Sequence, residues 1–450
     1  MIQINLRGLF RTRQLSLLVV SIFVAVCVPV PAARAGALEN YVNQPDASFN
    51  WKRCEQKKLK DCSVTHLELV SQTWRGQFWS HHLMVVKPPT VRNADIALLF
   101  VTGGSYGSID DKDLEHFILI AKQAGALACV INKIPNQPLY DGRKEDALIA
   151  YTFDQYVKSG DETWPLLFPM VKSAVRGMDT VQAFAAKEFN QKVERFVISG
   201  ASKRGWTTWL SAAVDPRVKA IAPMVIDTLN MREQLRWAEK FYGRQSEEIN
   251  DYTAIGFDKK QDDPAVVRIR SWVDPYSYRE RYTMPKLLLL GTNDPYWMVD
   301  SLRHYWNDLP GPKLIFQTPN AGHDLAGGKE AIQTLAAWFQ IIADREELPT
   351  MEWQLKDGAS GPASVSVKVN RAAQKIRLWS AHSTDRDFRD DKWSSRELEI
   401  KPGSSIANAE IDSPEKGFTA FMAEVELKSS TGDIYKLSTQ VQVTPDNIKP

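Results

Sequence analysis

From Val64 to Pro88 the chain, VTHLELVSQTWRGQFWSHHLMVVKP, alternates apolar and polar residues on both sides of Arg75-Gly76. That period-two pattern predicts an antiparallel hairpin. The pattern then changes to short, almost continuous apolar runs: DIALLFVTGG, GALACVINKIP, RFVISGAS, VKAIAPMVID, KLLLLGTND and KLIFQTPNAGH. Strands buried on both faces of a parallel sheet have that composition. Between the runs lie amphipathic stretches such as PMVKSAVRGMDTVQAFAAKEF and GGKEAIQTLAAWFQIIA, which predict helices. Strand and helix alternate as in a doubly wound α/β fold.

Two segments depart from this rhythm. Residues 229–283 are polar, rich in aromatics and longer than a crossover helix requires, which predicts a lid inserted between two sheet strands. The alternative is an elaborated surface crossover. Beyond about residue 348 the helical period stops. SVSVKVN, KIRLWSA, FTAFMAEVEL and YKLSTQVQVTP alternate with period two between turn-forming clusters. They predict a small antiparallel β-sandwich of the immunoglobulin or fibronectin III kind over 349–450. The α/β domain is then expected over 36–348.

The N-terminus changes the picture of where the chain works. Arg7, Arg11 and Arg13 precede LSLLVVSIFVAVCVPV, and Ala33-Arg34-Ala35 is a small-x-small cleavage site. Residues 1–35 therefore read as a signal peptide, with an exported, periplasmic or secreted mature chain starting at Gly36. Loss of the four arginines in that segment takes the formal charge from +2 to −2. A near-neutral chain has no basic field for nucleic acid, and no stable membrane insertion is expected after cleavage. Cys54 and Cys62 flank a polar stretch, and export predicts that they pair. Cys129 lies in an apolar run and reads as a small buried hydrophobe. Spacings for a metal site are missing, and no cofactor is expected.

Candidate chemistry starts at RFVISGASKRGWTTWL, where Ser202 stands at a strand-to-helix turn between Gly200 and Gly205. A nucleophile elbow needs such glycines, because the serine is strained and strand and helix pass closely. The usual pattern has glycine two residues after the serine; Arg204 stands there, with Gly205 one further on. Partners follow in the order serine, acid, histidine: Asp294 ends KLLLLGTND, and His323 follows KLIFQTPNAG. All three sit at the C-terminal ends of predicted strands, where open α/β sheets hold their sites. Asp227, which ends VKAIAPMVID, is the alternative acid, with a helix cap or loop anchor as its other reading. The Lys203 amide and one near Gly104 or Ser105 in LLFVTGGSYG are candidate oxyanion donors. The Lys203 and Arg204 side chains would either add charge there or stand as solvated first-turn heads.

The motifs NKIPNQPLY, EDALIAYT, WPLLFPMVKSAVRGMDTVQ, GASKRGWTTWL, DPRVKAIAPMVID and LLLLGTNDPYW resemble the PhoPQ-activated pathogenicity-related protein family of bacteria. The resemblance implies an exported α/β-hydrolase-like protein tied to envelope stress and virulence. The Gly-x-Ser-Lys-x-Gly spacing locally looks like that of glucuronoyl esterases. Three functions remain: a serine esterase or amidase acting on a small, envelope-derived substrate; a prolyl-oligopeptidase-like serine peptidase; and a non-catalytic binding protein on a hydrolase scaffold.

Overall fold

The turn at Arg75-Gly76 takes φ of 51° and 75°. Two successive positive φ angles match the twist of flanking strands and close a two-residue hairpin. It joins β2 (Cys62–Trp74) to β3 (Gln77–Lys87). The computed structural model describes residues 36–104, 111–358, 362–400, 405–412 and 414–446. The expected signal peptide and Ser105 lie outside these residues.

β1 (Asn50–Leu59) pairs with β2 at the sheet edge, and the sequence pattern gave no sign of it. Its residues are almost all exposed and include Lys52, Arg53, Glu55, Lys57 and Lys58, so no apolar period exists to read. Charge on an edge strand discourages pairing with another chain. The apolar runs form β4 (Ile96–Val101), β5 (Leu127–Ile131), β6 (Arg195–Ala201), β7 (Val218–Met224), β8 (Lys286–Gly291) and β9 (Lys313–Thr318). Among the described residues, the order across this sheet is β1-β2-β3-β5-β4-β6-β7-β8-β9. β3 pairs antiparallel with β2 and β5, while β5, β4, β6, β7, β8 and β9 run parallel.

The helices are α1 (Ala37–Asn43), α2 (Asp111–Ala124), α3 (Glu145–Ser159), α4 (Leu167–Phe189), α5 (Lys203–Val214), α6 (Met231–Tyr242), α7 (Asn250–Ala254), α8 (Pro264–Val273) and α9 (Lys329–Ala343). Alternate residues of β4 reach opposite faces. Ala97, Leu99 and Val101 pack in one buried cluster with α4 and α5. Ile96 and Leu98 pack in a second cluster with α2 and α9. Both faces are covered, which is why the strands read as unbroken apolar runs. α6, α7 and α8 lie in the segment between β7 and β8.

The C-terminal strands are β10 (Met351–Lys356), β11 (Ala363–Val369), β12 (Lys375–Ser383), β13 (Ser394–Glu397), β14 (Ile406–Ile411), β15 (Phe418–Lys428), β16 (Ile434–Ser438) and β17 (Gln442–Thr444). They form two antiparallel sheets, β10-β11-β14 and β13-β12-β15-β16, with β17 on β15. Val365 and Val367 of β11 share one cluster with Ile376 of β12, Val425 of β15 and α9. The apolar side of this region thus continues into the core beside the large sheet.

The expected Cys54–Cys62 bridge is absent; both thiols are free. Cys62 faces Leu59 across the β1–β2 turn, whereas Cys54 sits in a bulge between residues facing His66 and Leu67. About four residues of strand, roughly 13 Å, separate the two positions, and a bridge needs Cα atoms within about 7 Å. Cys54 is exposed, so it should alkylate in the native protein without prior reduction. Cys62 is buried and should react only on unfolding. A need for reductant at Cys54 would restore the bridge.

Candidate active site

At the end of β6 the chain turns through Ser202, whose φ of 58° and ψ of −124° lie outside the usual regions for a side-chain-bearing residue. Its amide donates to Met224 O at 2.9 Å, which pins the turn to β7. α5 then folds back over the strand. A Cβ on Gly200 would lie 2.7 Å from Val101 O and 2.8 Å from Arg204 O, so only glycine lets the helix pass. A Cβ on Gly205 would come within 2.6 Å of the Ile226 side chain. Gly205 therefore meets the close approach for which the usual elbow uses a glycine one position earlier.

The loops after β8 and β9 bring the partners to this turn. His323 Nε2 is 2.8 Å from Ser202 Oγ, and His323 Nδ1 is 2.8 Å from Asp294 Oδ2. Asp294 Oδ1 accepts from the Tyr296 amide at 3.0 Å, so both carboxylate oxygens are held. The Tyr296 ring lies on the imidazole, with centroids 4.4 Å apart and planes at 30°. Asp294 is 4% exposed. Of the oxyanion candidates, Lys203 supplies the first amide of α5, which has no acceptor within the helix. Gly104 follows β4, the neighbour of β6, with φ of 80°.

The alternative acid, Asp227, does not reach the histidine. It is buried near Asp294 and Asp300, and its carbonyl oxygen accepts from Gln234. Burial foremost, with those two carboxylates, raises its pKa to about 7, although the nearby Tyr305 hydroxyl draws it down.

Neither basic side chain after the serine is a solvated head. Lys203 Nζ is 2.6 Å from Asp146 Oδ2, and both side chains are largely buried. Arg204 donates twice to the Glu145 carboxylate, each at 2.7 Å, and once to Ile134 O. Burial alone would raise the Glu145 carboxyl, yet Arg204 beside it holds it below the ordinary value. The Arg204 guanidinium fills the space where a Cβ on Gly103 would stand. The position where the usual motif has glycine thus serves to fasten the loop after β5 to the start of α3, beside the loop after β4.

Ser202 opens into an apolar pocket. Phe153, Trp206, Ile226 and Trp297 form its inner wall, and Asp146, Lys203 and Tyr296 one polar corner. Tyr252 and Tyr296 both donate to Asp146, at 2.8 and 3.1 Å. The inserted segment supplies the roof through Met231, Gln234, Leu235, Ile249, Tyr252 and Phe257. The aromatics most conspicuous in its sequence are elsewhere. Trp237 and Phe241 pack together beneath Arg386, Trp272 packs on Tyr156 and Phe168, and Tyr282 on Trp209. Sequence reading missed Asp146, Tyr296 and the roof residues, because α3, α6 and α7 meet over the serine only in the folded chain.

Leaving aside β1, the sheet order with β3 alone reversed, and a serine at the strained turn after β6, make this chain an α/β-hydrolase. Within that class it belongs to the PhoPQ-activated pathogenicity-related protein family, whose model matches residues 38–389. It is similar to the autocrine proliferation repressor protein A of Dictyostelium discoideum, at 32% identity over 91% of each chain. Among solved structures it is similar to acetyl xylan esterase 1 from Thermoanaerobacterium sp. JW/SL YS485. That match has a TM-score of 0.48 and 16% identity, over 68% of this chain and 92% of the esterase. An acetyl xylan esterase from Paenibacillus sp. R4 matches with TM-score 0.47 and 15% identity, over 66% and 91%.

Proposed function

We propose that this chain is an exported serine hydrolase of carboxylic esters, with Ser202 as nucleophile, His323 as base and Asp294 as the acid that orients it. The observation that carries the reading is the continuous chain of two 2.8 Å contacts, Ser202–His323–Asp294, at the mouth of an apolar pocket. His323 takes the Ser202 proton as Oγ attacks the acyl carbon, then gives that proton to the departing alcohol. Water, activated by the same imidazole, releases the acid. The Lys203 amide and an amide near Gly104 are the donors for the tetrahedral oxyanion. Export rests on the N-terminal sequence pattern, which puts the mature chain in the periplasm or outside the cell.

The pocket favours a bulky apolar group over a peptide end. Its charged lining residues among those described, Lys203 and Asp146, neutralise each other at 2.6 Å. Among the described lining residues no free charge remains to hold a peptide terminus, whereas aromatic and aliphatic side chains cover most of the rest. Wild-type protein should react with a fluorophosphonate probe and cleave p-nitrophenyl octanoate or benzoate with higher kcat/KM than the acetate. Leu235→Trp, which fills the roof, should lower kcat/KM on the bulky esters by about tenfold more than on acetate. Equal losses on both would take the apolar pocket out of substrate binding, and no probe reaction would sink the hydrolase reading itself.

A further inference from the structure

The C-terminal β region sends one loop, Arg386–Trp393 between β12 and β13, into the edge of the candidate active site. Asn293, the residue before Asp294, donates its side-chain amide to three carbonyls of that loop: Phe388 at 3.0 Å, Arg389 at 3.2 Å and Asp391 at 2.8 Å. Asn320, three residues before His323, clasps Trp393 at two points. Its Nδ2 donates to Trp393 O at 3.0 Å, and its Oδ1 accepts from Trp393 N at 2.8 Å. The two triad loops are also tied to each other. The Asn293 amide donates to Ala321 O at 2.9 Å, and the Asn320 amide to Thr292 Oγ1 at 3.0 Å.

The same loop holds the roof helix. Arg386, 1% exposed, pairs with Asp300 at 2.7 Å, lies 4.0 Å from the Phe241 ring centroid, and Asp300 accepts from Trp237. Arg389 donates to Pro295 O at 3.3 Å and sits over Tyr242. These rings belong to α6, whose Met231, Gln234 and Leu235 face the pocket. Phe388 and Trp393 root the loop in a buried cluster with β12, β15 and β17.

We infer that the Arg386–Trp393 loop is the positioning element of the catalytic site, setting through Asn293 and Asn320 the register of the loops that carry Asp294 and His323. The inference rests on the hydrolase reading for its consequence and on the hydrogen bonds alone for its geometry. Asn293 and Asn320 are positioning residues; neither touches Ser202 or the space a substrate would fill. Each side chain satisfies main-chain groups of a loop more than seventy residues away. Losing either frees a triad loop at the point where the acid or base is attached. A displacement of about 1 Å at reacting groups is enough to cost roughly a hundredfold in rate.

The test uses the mature chain with Asn293→Ala and Asn320→Ala, singly and together. On p-nitrophenyl octanoate, kcat should fall by about 10- to 100-fold in each, with KM within about twofold, after correction for folded protein by thermal melt. A merely structural role would lower the folded fraction and leave kcat per folded molecule untouched. Hydrogen–deuterium exchange gives a readout that needs no substrate. Exchange should quicken at residues 291–298 and 318–325 together in each single variant, and not in α4 or β4. Wild-type protein that hydrolyses nothing would defeat the hydrolase reading while exchange still decides the positioning. Unchanged kcat per folded molecule, or exchange that quickens only in the mutated loop, would overturn the inference.

Discussion

Ser202→Ala should abolish fluorophosphonate labelling and lower kcat for ester hydrolysis by about 10⁶-fold, the scale found when a triad nucleophile is removed. The fold should survive. The Ser202 hydroxyl bonds to His323 at the surface of the turn, while its amide, which fixes the elbow to Met224 O, is kept in the variant. The strained φ of 58° is equally uncomfortable for serine and alanine, so the melting temperature should move little. A residual rate above that of water would be expected from the oxyanion donors and the pocket alone. Labelling that persisted in the variant would remove Ser202 from the mechanism, whatever became of the rate.

How far the sequence carries follows from which contacts are local. Strands β4 to β9 were legible because burial on both faces forces unbroken apolar runs, and each run ends at a turn signal. β1 was hidden because its exposed, charged residues carry no period; only pairing with β2 makes it a strand. The convergence of Ser202, Asp294 and His323 was legible for a related reason. Each stands just past the end of its own strand, so chain order alone says they can converge. The polar supports were not. Arg204 finds Glu145 across 59 residues and Asn293 finds Asp391 across 98, with no periodicity linking either pair. The inserted segment shows the limit most clearly. Its ring count suggested a pocket roof, yet Trp237, Phe241, Trp272 and Tyr282 pack on the core and the C-terminal region, and aliphatic residues beside two rings do the roofing. Composition says how much apolar area a segment has; the side on which it faces is decided by tertiary packing.

The buried acids Asp294 and Asp227 should separate cleanly on mutation. Asp294→Asn should lower kcat by about 10⁴-fold, because the amide cannot hold the imidazole tautomer that leaves Nε2 free to take the Ser202 proton. Stability should change less, since the Tyr296 amide and His323 can both still be bonded by an asparagine side chain. Asp227→Asn should do the opposite: activity within a few-fold of wild type, with a pH-dependent gain in stability. Burial raises the Asp227 pKa from 3.8 to about 7 in the folded chain. Below about pH 4 the carboxyl is protonated whether the chain is folded or not, and costs nothing extra. Between pH 4 and 7 the unfolded chain ionises while the folded one keeps its proton, so wild-type stability falls by up to about 1.4 kcal/mol per pH unit. Above pH 7 the penalty levels off, on the order of 4 kcal/mol. Asparagine has no such proton to lose, and it keeps a polar side chain toward Tyr305. Urea melts at pH 5 and pH 8 should therefore show the Asp227→Asn gain growing with pH, while kinetics at either pH stay close to wild type. A large kinetic loss at Asp227 with none at Asp294 would move the catalytic acid from the end of β8 to the loop after β7.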